Sequence, residues 1–415
     1  MNQRILGSAM PAVGGRIRGV PTVNLSARAG LLKPSPTLAM TAKARAMQAQ
    51  GIRVISFAAG EPDFNTPEVV CEAAIKALRD GQTKYAPSRG IPALREAVVA
   101  KTARENGFTC HDNQIVVSCG AKHSLYNALM VLVDPGDEVV LFAPYWMTYA
   151  DQIRLAGGVP KVVSCGPETC FTPTPDQIRE AITARTKVVI VNSPGNPTGG
   201  AWNAEQYAAL AEATERHGTW VISDEIYERL LYTGTHQSIA ALSQSMAERT
   251  VTILGCSKTY AMTGWRIGFA VAPAPVAAAM ADLQDQVTSN ATTFAQVGAV
   301  AALNMPAAEV DAMRDEFRRR RDLGLGLLQR IEGIQCPEPR GAFYFFVDVS
   351  EVLNRPDAPW STDVALADWL LEHAHIACVP GSVFEGPGHL RFSYATSPAQ
   401  IEEGFQRLHA ALTPL

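Results

Sequence analysis

Six short, almost wholly apolar runs, at 115–117, 138–142, 188–191, 220–223, 251–254 and 267–271, constrain the fold of this chain more than any other feature. They are too short for helices and lack the in–out alternation of a sheet with one wet face. Helical patterns lie between several of them, at 67–79, 124–133, 204–217 and 276–286. Apolar strands separated by helices predict a mostly parallel sheet covered on both faces, an α/β fold with its core over residues 67–304. Beyond residue 304 the pattern changes. A helix at 309–329 places Arg318, Arg319, Arg320 and Arg321 on a solvated face. An alternating strand at 343–349, a helix at 362–373, strands at 376–379 and 390–394 and a helix at 398–412 complete an α+β unit.

Composition excludes several functions. The chain has 415 residues, 47% of them hydrophobic, and a net charge of -4, enough apolar material for two or three cores and too little charge for disorder. Mild acidity argues against a nucleic-acid surface. No apolar run reaches the roughly 18 residues of a membrane span. The eight cysteines show no ligand spacing, so they read as core thiols of a reducing compartment and no metal site is predicted. Charge is unevenly spread: the first 60 residues hold eight basic and no acidic side chains, leaving 28 basic against 40 acidic. Residues 1–28, broken by Gly7, Pro11, Gly14, Gly15, Gly19 and Pro21, read as a loose leader, with a targeting segment as the alternative. A cytoplasmic protein is expected unless that alternative holds.

The polar residues cluster where strands end. The run Asn192-Ser193-Pro194-Gly195-Asn196-Pro197-Thr198-Gly199-Gly200 follows one strand, Asp224-Glu225-Ile226-Tyr227 the next, and Ser257-Lys258, with Arg266 eight residues on, a third. Open α/β sheets bind ligands at the carboxyl ends of their strands. Any one of these residues could be a turn former or an ion pair, but three successive strand ends together suit a carbonyl cofactor bearing a phosphate and a basic ring nitrogen. A desolvated Lys amine forms Schiff bases. A buried carboxylate keeps the ring nitrogen protonated. Arg, Ser and the helix start at Ser118-Cys119-Gly120-Ala121-Lys122 suit the phosphate.

With Ala59-Gly60-Glu61-Pro62-Asp63-Phe64, Thr83-Lys84-Tyr85, Ser223-Asp224-Glu225-Ile226-Tyr227 and Arg391-Phe392-Ser393-Tyr394 added, the sequence resembles the class I, fold type I pyridoxal-phosphate aminotransferases. The likeness is to the bacterial-type aspartate/aromatic branch and runs from about residue 29 to the end. It implies a three-layer α/β/α large domain with a seven-stranded sheet over 67–304, and a small domain from 29–66 and 305–415. It implies pyridoxal 5'-phosphate as cofactor, an L-amino acid and a 2-oxo acid as substrates, and a homodimer with shared sites.

Residue by residue, the resemblance makes Lys258 the Schiff-base lysine and proton shuttle, and Asp224 the partner of the ring nitrogen. Asn196 and Tyr227 contact the ring's phenolic oxygen, and Trp146 stacks on the ring. Ala121, Lys122 (through its backbone), Ser257 and Arg266 hold the phosphate, with Tyr85 from the neighbouring subunit. Arg391 clamps the substrate carboxylate, helped by Asn196 and the backbone of Gly60. Trp146 as core packing and Arg391 as a surface ion pair are the structural alternatives. His123 and His389 are left as structural, and Met130 and Thr37 as pocket-lining residues. Neither Lys122 nor Lys33 can be placed opposite a substrate's distal carboxylate from sequence. Gly195 departs from the Asn that many relatives carry there, at a backbone position. Nothing beside Lys258 separates transamination from a lyase, oxidase or cyclase using the same cofactor. A DNA-binding regulator is disfavoured, since 28 leading residues with Gly and Pro do not suit a helix-turn-helix.

Overall fold

The computed structural model describes residues 25–32, 34–356 and 358–413; Lys33 and nearly all of the leader lie outside them. The chain divides into residues 1–33 and 34–415. The described part of the first unit is the short helix Ala27–Gly30, capped by the Ser26 hydroxyl.

In the second unit, strand β1 is Ile55–Ser56. The main sheet contains β2 (Ile115–Ser118), β3 (Glu138–Ala143), β4 (Val159–Ser164), β5 (Thr186–Asn192), β6 (Trp220–Asp224), β7 (Thr250–Gly255) and β8 (Gly268–Val271). Its order is β2-β8-β7-β6-β5-β3-β4, parallel except for β8, which runs antiparallel to both neighbours. Neighbouring residues of a strand serve opposite faces, which explains why the runs are apolar throughout. Val116, Val139, Val188 and Ile222 pack in one cluster with Leu125, Leu129, Ile153 and Met280. Ile115 and Val117 join Leu94, Val98 and Leu303, while Val140, Val189 and Val221 join Ile178, Tyr207 and Leu210. Helices thus cover both faces, giving the expected three-layer α/β fold with seven strands.

A second group of strands uses both ends of the chain. β1 pairs in parallel with β10 (Ile376–Ala377), while β9 (Tyr344–Asp348), β12 (His389–Ser393) and β11 (Val379–Pro380) form a three-stranded antiparallel sheet. An aromatic core joins them, with Phe57 stacked on Phe405 at 5.1 Å. Two of the early basic residues pair here, Lys43 with Asp368 and Arg53 with Glu403.

One expectation needs correction. The helix Ala307–Leu328 does not present all four arginines to solvent, because Arg320 and Arg321 are buried. Arg320 pairs with Asp63 at 2.6 Å, and Arg321 donates to the Pro339 carbonyl at 3.1 Å and lies over the Tyr232 ring. Four consecutive residues span more than a full helical turn, so at least one must face inward. The inward pair is tolerated because acids, a carbonyl and an aromatic face receive it.

Candidate active site

Topology brings the candidate residues to one edge. β5 and β6 end side by side, with Asn192 opposite Asp224. β8 runs the other way and starts at Gly268, opposite both Gly255 and Ser118. Arg266 therefore arrives at the edge where β2, β5, β6 and β7 finish. Its φ of 55° is a left-handed conformation, costly for a side chain and held only where the surroundings demand it.

Five of the predicted residues meet around Tyr344. Lys258 Nζ donates to the Gly60 carbonyl at 2.5 Å. A Cβ on Gly60 would lie 2.9 Å from the Tyr344 hydroxyl, so only glycine lets the backbone approach that close. The same hydroxyl bonds that of Tyr227 at 2.9 Å. Burial first, and then Tyr344, push the Tyr227 phenol well above its ordinary pKa, so it remains a proton donor. Arg391, 2% exposed, lies over the rings of Tyr344 and Phe384 at 4.6 and 4.9 Å. Its Nη1 donates to Asn196 Oδ1 and its Nη2 to the Ala58 carbonyl, both at 2.9 Å, while its buried Nε has no partner among the described residues. A surface ion pair is thereby excluded for Arg391. An orphaned buried donor is the arrangement a carboxylate ligand would complete.

Asp224 anchors the other half. It is 5% exposed and accepts from the Tyr149 hydroxyl at 2.7 Å and from the Ile226 amide at 3.3 Å. Burial pushes its carboxyl up to about 6, and those two hydrogen bonds pull it back only in part. Tyr149 meets Trp146 edge-on at 5.5 Å, and Lys122 Nζ lies over the Trp146 ring at 4.7 Å. Burial, then Arg266, lower the Lys122 amine below its usual pKa. Asn192 links the halves, donating to the Asp224 carbonyl at 2.9 Å and accepting from the Asn196 amide at 2.9 Å.

Between β2 and the helix Ala121–Leu132, the chain turns at Gly120 with φ 86°. A Cβ there would overlap the Arg266 guanidinium, and one on Gly268 would overlap the Ala121 amide, so two glycines hold this cup open. The first amides of a helix have no intrahelical acceptor. Those of His123 and Ser124 bond the Gly120 carbonyl, and those of Ala121 and Lys122 remain. Arg266 donates to the Thr263 and Cys119 carbonyls at 3.0 and 3.3 Å beside them.

Contacts thus connect Gly60, Ala121, Lys122, Trp146, Asn196, Asp224, Tyr227, Lys258, Arg266 and Arg391. Ser257 lies buried, two residues past β7. Tyr85 stands apart, 92% exposed. His123 accepts from the Cys119 amide at 3.3 Å, and His389 stacks on Phe346 at 4.8 Å, both structural contacts. Among the described residues, no contact places Met130 or Thr37 at the site. Tyr149 and Tyr344 were not read from the sequence, and Asn192 was read only as the first residue of a polar strand-end run, without a role. A polar residue near a strand end was the available signal only for Asn192.

A half-buried amine, a buried carboxylate, an orphaned guanidinium and an anion cup at one sheet edge define an enzyme of amino-group chemistry. Residues 52–408 match the model of aminotransferase class I and II. The chain is 46% identical over 388 residues to an aspartate aminotransferase of Geobacillus stearothermophilus, covering 93% of this chain and 98% of that protein. It is 46% identical over 391 residues to a probable aspartate/prephenate aminotransferase of Aquifex aeolicus, covering 94% and 98%. Its fold matches the aspartate aminotransferase from Thermus thermophilus with maleate at a TM-score of 0.89 and 44% identity, covering 94% and 100%. The chain belongs to the class I/II aminotransferase family and is an aminotransferase. Those relatives do not favour the lyase, oxidase or cyclase reading.

Proposed function

We propose that this aminotransferase moves the amino group of an L-amino acid, of the aspartate/glutamate or aromatic type, to a 2-oxo acid in two half-reactions, with pyridoxal 5'-phosphate as cofactor. The observation that carries this reading is the state of Lys258. Burial, helped by the charges of Arg266 and Arg391, brings its amine down to about 8 against the pull of Glu61 and Asp224. A useful fraction is then unprotonated near neutrality, as a nucleophile and proton acceptor requires.

The residues present suit the cofactor. The cup kept open by Gly120 and Gly268, with the amides of Ala121 and Lys122 and the Arg266 guanidinium, suits its phosphate, and Ser257 lies close in sequence to complete it. Asp224, short of hydrogen-bond donors, suits a protonated ring nitrogen, while Asn196 and Tyr227 suit the phenolic oxygen and Trp146 the ring face. When bound, pyridoxal phosphate supplies a carbonyl that exchanges amino groups and a ring that accepts electrons from Cα.

The chain's own residues do the rest. Arg391 grips the substrate α-carboxylate, offering its Nε, while Asn196 and Ala58 hold the guanidinium in place. Lys258 Nζ takes the Cα proton of the donor in the first half-reaction and delivers a proton to Cα of the acceptor in the second, with the Gly60 carbonyl orienting the amine. Lys122 has no salt-bridge partner among the described residues and lies against Trp146, which favours a substrate bearing a second carboxylate. The names of the relatives point the same way.

The reading also takes 67–304 as the large cofactor-binding domain and 29–66 with 305–415 as the small one. It makes the enzyme a cytoplasmic homodimer, in which the exposed Tyr85 reaches the partner's phosphate site. No helix among the described residues is long and apolar enough to cross a membrane.

The purified protein should be yellow with cofactor, and aspartate added without oxygen should discharge the colour and release a 2-oxo acid. Lys258→Ala should lose turnover by several orders of magnitude, while a variant retaining full turnover would sink the assignment. Phenylalanine tested beside aspartate measures the preference for a second carboxylate.

A further inference from the structure

The strand–turn–helix around Gly120 is held by a side chain that the chemistry above does not use. Gln284, on the helix Ala274–Val287, is completely buried. Its amide makes four hydrogen bonds, two donated and two accepted, which is the most such a group usually makes. Nε2 donates to the carbonyls of Val117 at 2.9 Å and Ser88 at 2.6 Å. Oε1 accepts from Ser118 Oγ at 2.7 Å and Asn127 Nδ2 at 3.1 Å.

The placement of these partners is informative. Val117 and Ser118 are the last residues of β2, immediately before the turn. Asn127 lies on the helix that leaves it. One amide from a third element therefore ties both arms of the turn, and through Ser88 it also holds the segment three residues past Tyr85. The rest of the buried face of its helix is apolar, formed by Ala277, Met280 and Ala281. Leucine would match that face but leave the Val117 and Ser88 carbonyls and the Ser118 and Asn127 side chains without this partner, so the amide is there for its bonds and not for packing. A fully satisfied amide instead fixes direction, because each of its bonds is lost when a partner shifts. Direction matters here, since the Ala121 amide and the Arg266 guanidinium lie so close to Gly268 and Gly120 that no Cβ would fit.

Resting on the functional reading above, we infer that Gln284 is a positioning residue for the phosphate end of the cofactor. It sets where the Ala121 and Lys122 amides and Arg266 converge, and it does not act on the carbonyl or ring.

The test compares binding of pyridoxal 5'-phosphate and of pyridoxal, which lacks the phosphate, to cofactor-free protein by tryptophan fluorescence and visible absorbance. Gln284→Leu should weaken pyridoxal phosphate roughly tenfold, the scale of one displaced hydrogen bond. Pyridoxal affinity should stay within about twofold, since its contacts lie elsewhere. Ser118→Ala, which removes one of the four bonds, should give a smaller loss of the same kind. Equal weakening of both ligands, or no change in either, overturns the inference. If Gln284→Leu does not fold, Ser118→Ala decides by the same contrast. Wild-type protein that binds neither ligand overturns the functional reading and this inference with it. Wild-type protein that binds both, with variants that fail to discriminate, overturns this inference alone.

Discussion

Asp224 and Glu225 are neighbouring carboxylates, both buried, that point to opposite faces where β6 ends, and their surroundings drive them in opposite directions. Asp224 faces the site with two hydrogen bonds, and burial pushes it up to about 6. Glu225 is just as desolvated, yet it ends below its ordinary pKa, because the charge of His236 and hydrogen bonds from His236, Ser223 and Ser238 outweigh burial. Behind it, Glu228 binds Lys101 and Asn106. A π-helical turn, Thr102–Asn106, follows Lys101 directly and carries Asn106 into this network. The saturated carboxylate belongs to the scaffold, and the underpaired one is free to receive a cation. Perturbation by burial with too few partners is therefore the better marker of the chemical face.

The largest effect should come from breaking the scaffold side. Lys101 is 1% exposed, and Lys101→Ala leaves the Glu228 carboxylate buried with Asn106 alone. Stripping one partner from such a pair costs about 3–5 kcal/mol. Urea unfolding at neutral pH checks this, and a loss below about 1 kcal/mol would mean the network is not what holds this turn.

The site side should respond with the opposite sign. A carboxyl whose folded pKa is raised binds its proton more tightly folded than unfolded between 3.8 and about 6, so its contribution falls as pH rises through that window. Cofactor-free Asp224→Asn should therefore be more stable than wild type by about 3 kcal/mol above pH 6, from a shift of roughly two units. The advantage should vanish near pH 4, and the variant should lose transamination. Unfolding curves across pH read the difference, and a destabilised variant would contradict the contrast between the two faces.

The smallest effect concerns His236. Its pairing with Glu225 overcomes burial and raises its pKa above 6.5, so its stabilisation is complete below that value and fades as pH rises through the raised one. Glu225, lowered, contributes above 4.5 and loses its contribution as pH falls. His236→Asn should thus cost most on the acid side of neutrality, with the gap to wild type narrowing at alkaline pH. A gap that widens with pH would show that His236 acts as a neutral acceptor.

The central strands could be read because burial on both faces leaves only apolar residues in them. β4 escaped for the opposite reason. It lies at the sheet edge with its residues mostly exposed, so Val159-Pro160-Lys161-Val162 carries no buried-strand signal. Among site residues, Lys258, Asp224 and Arg266 stand in motifs next to apolar strands. Tyr149 and Tyr344 do not, since an aromatic in a helix or strand looks like core until its hydroxyl finds a partner. The buried pair Arg320 and Arg321 was misread because a run of four cations resembles a solvated face until an acid from a distant segment, Asp63, is folded against it.

By itself, the sequence determined the layers of this protein, the order of its buried strands along the chain and the residue types at their ends. These follow from local hydrophobic pattern and from motifs in which neighbours along the chain act together. Only the tertiary structure decided which of those residues share a partner. It set Arg391 against Asn196, 195 residues away, and Ala58, 333 residues away, brought Gly60 to Lys258, and gave Asp224 and Glu225 different surroundings. The physical reason is that desolvation and hydrogen bonding depend on distance in space, and two adjacent acids at the end of one strand meet different partners.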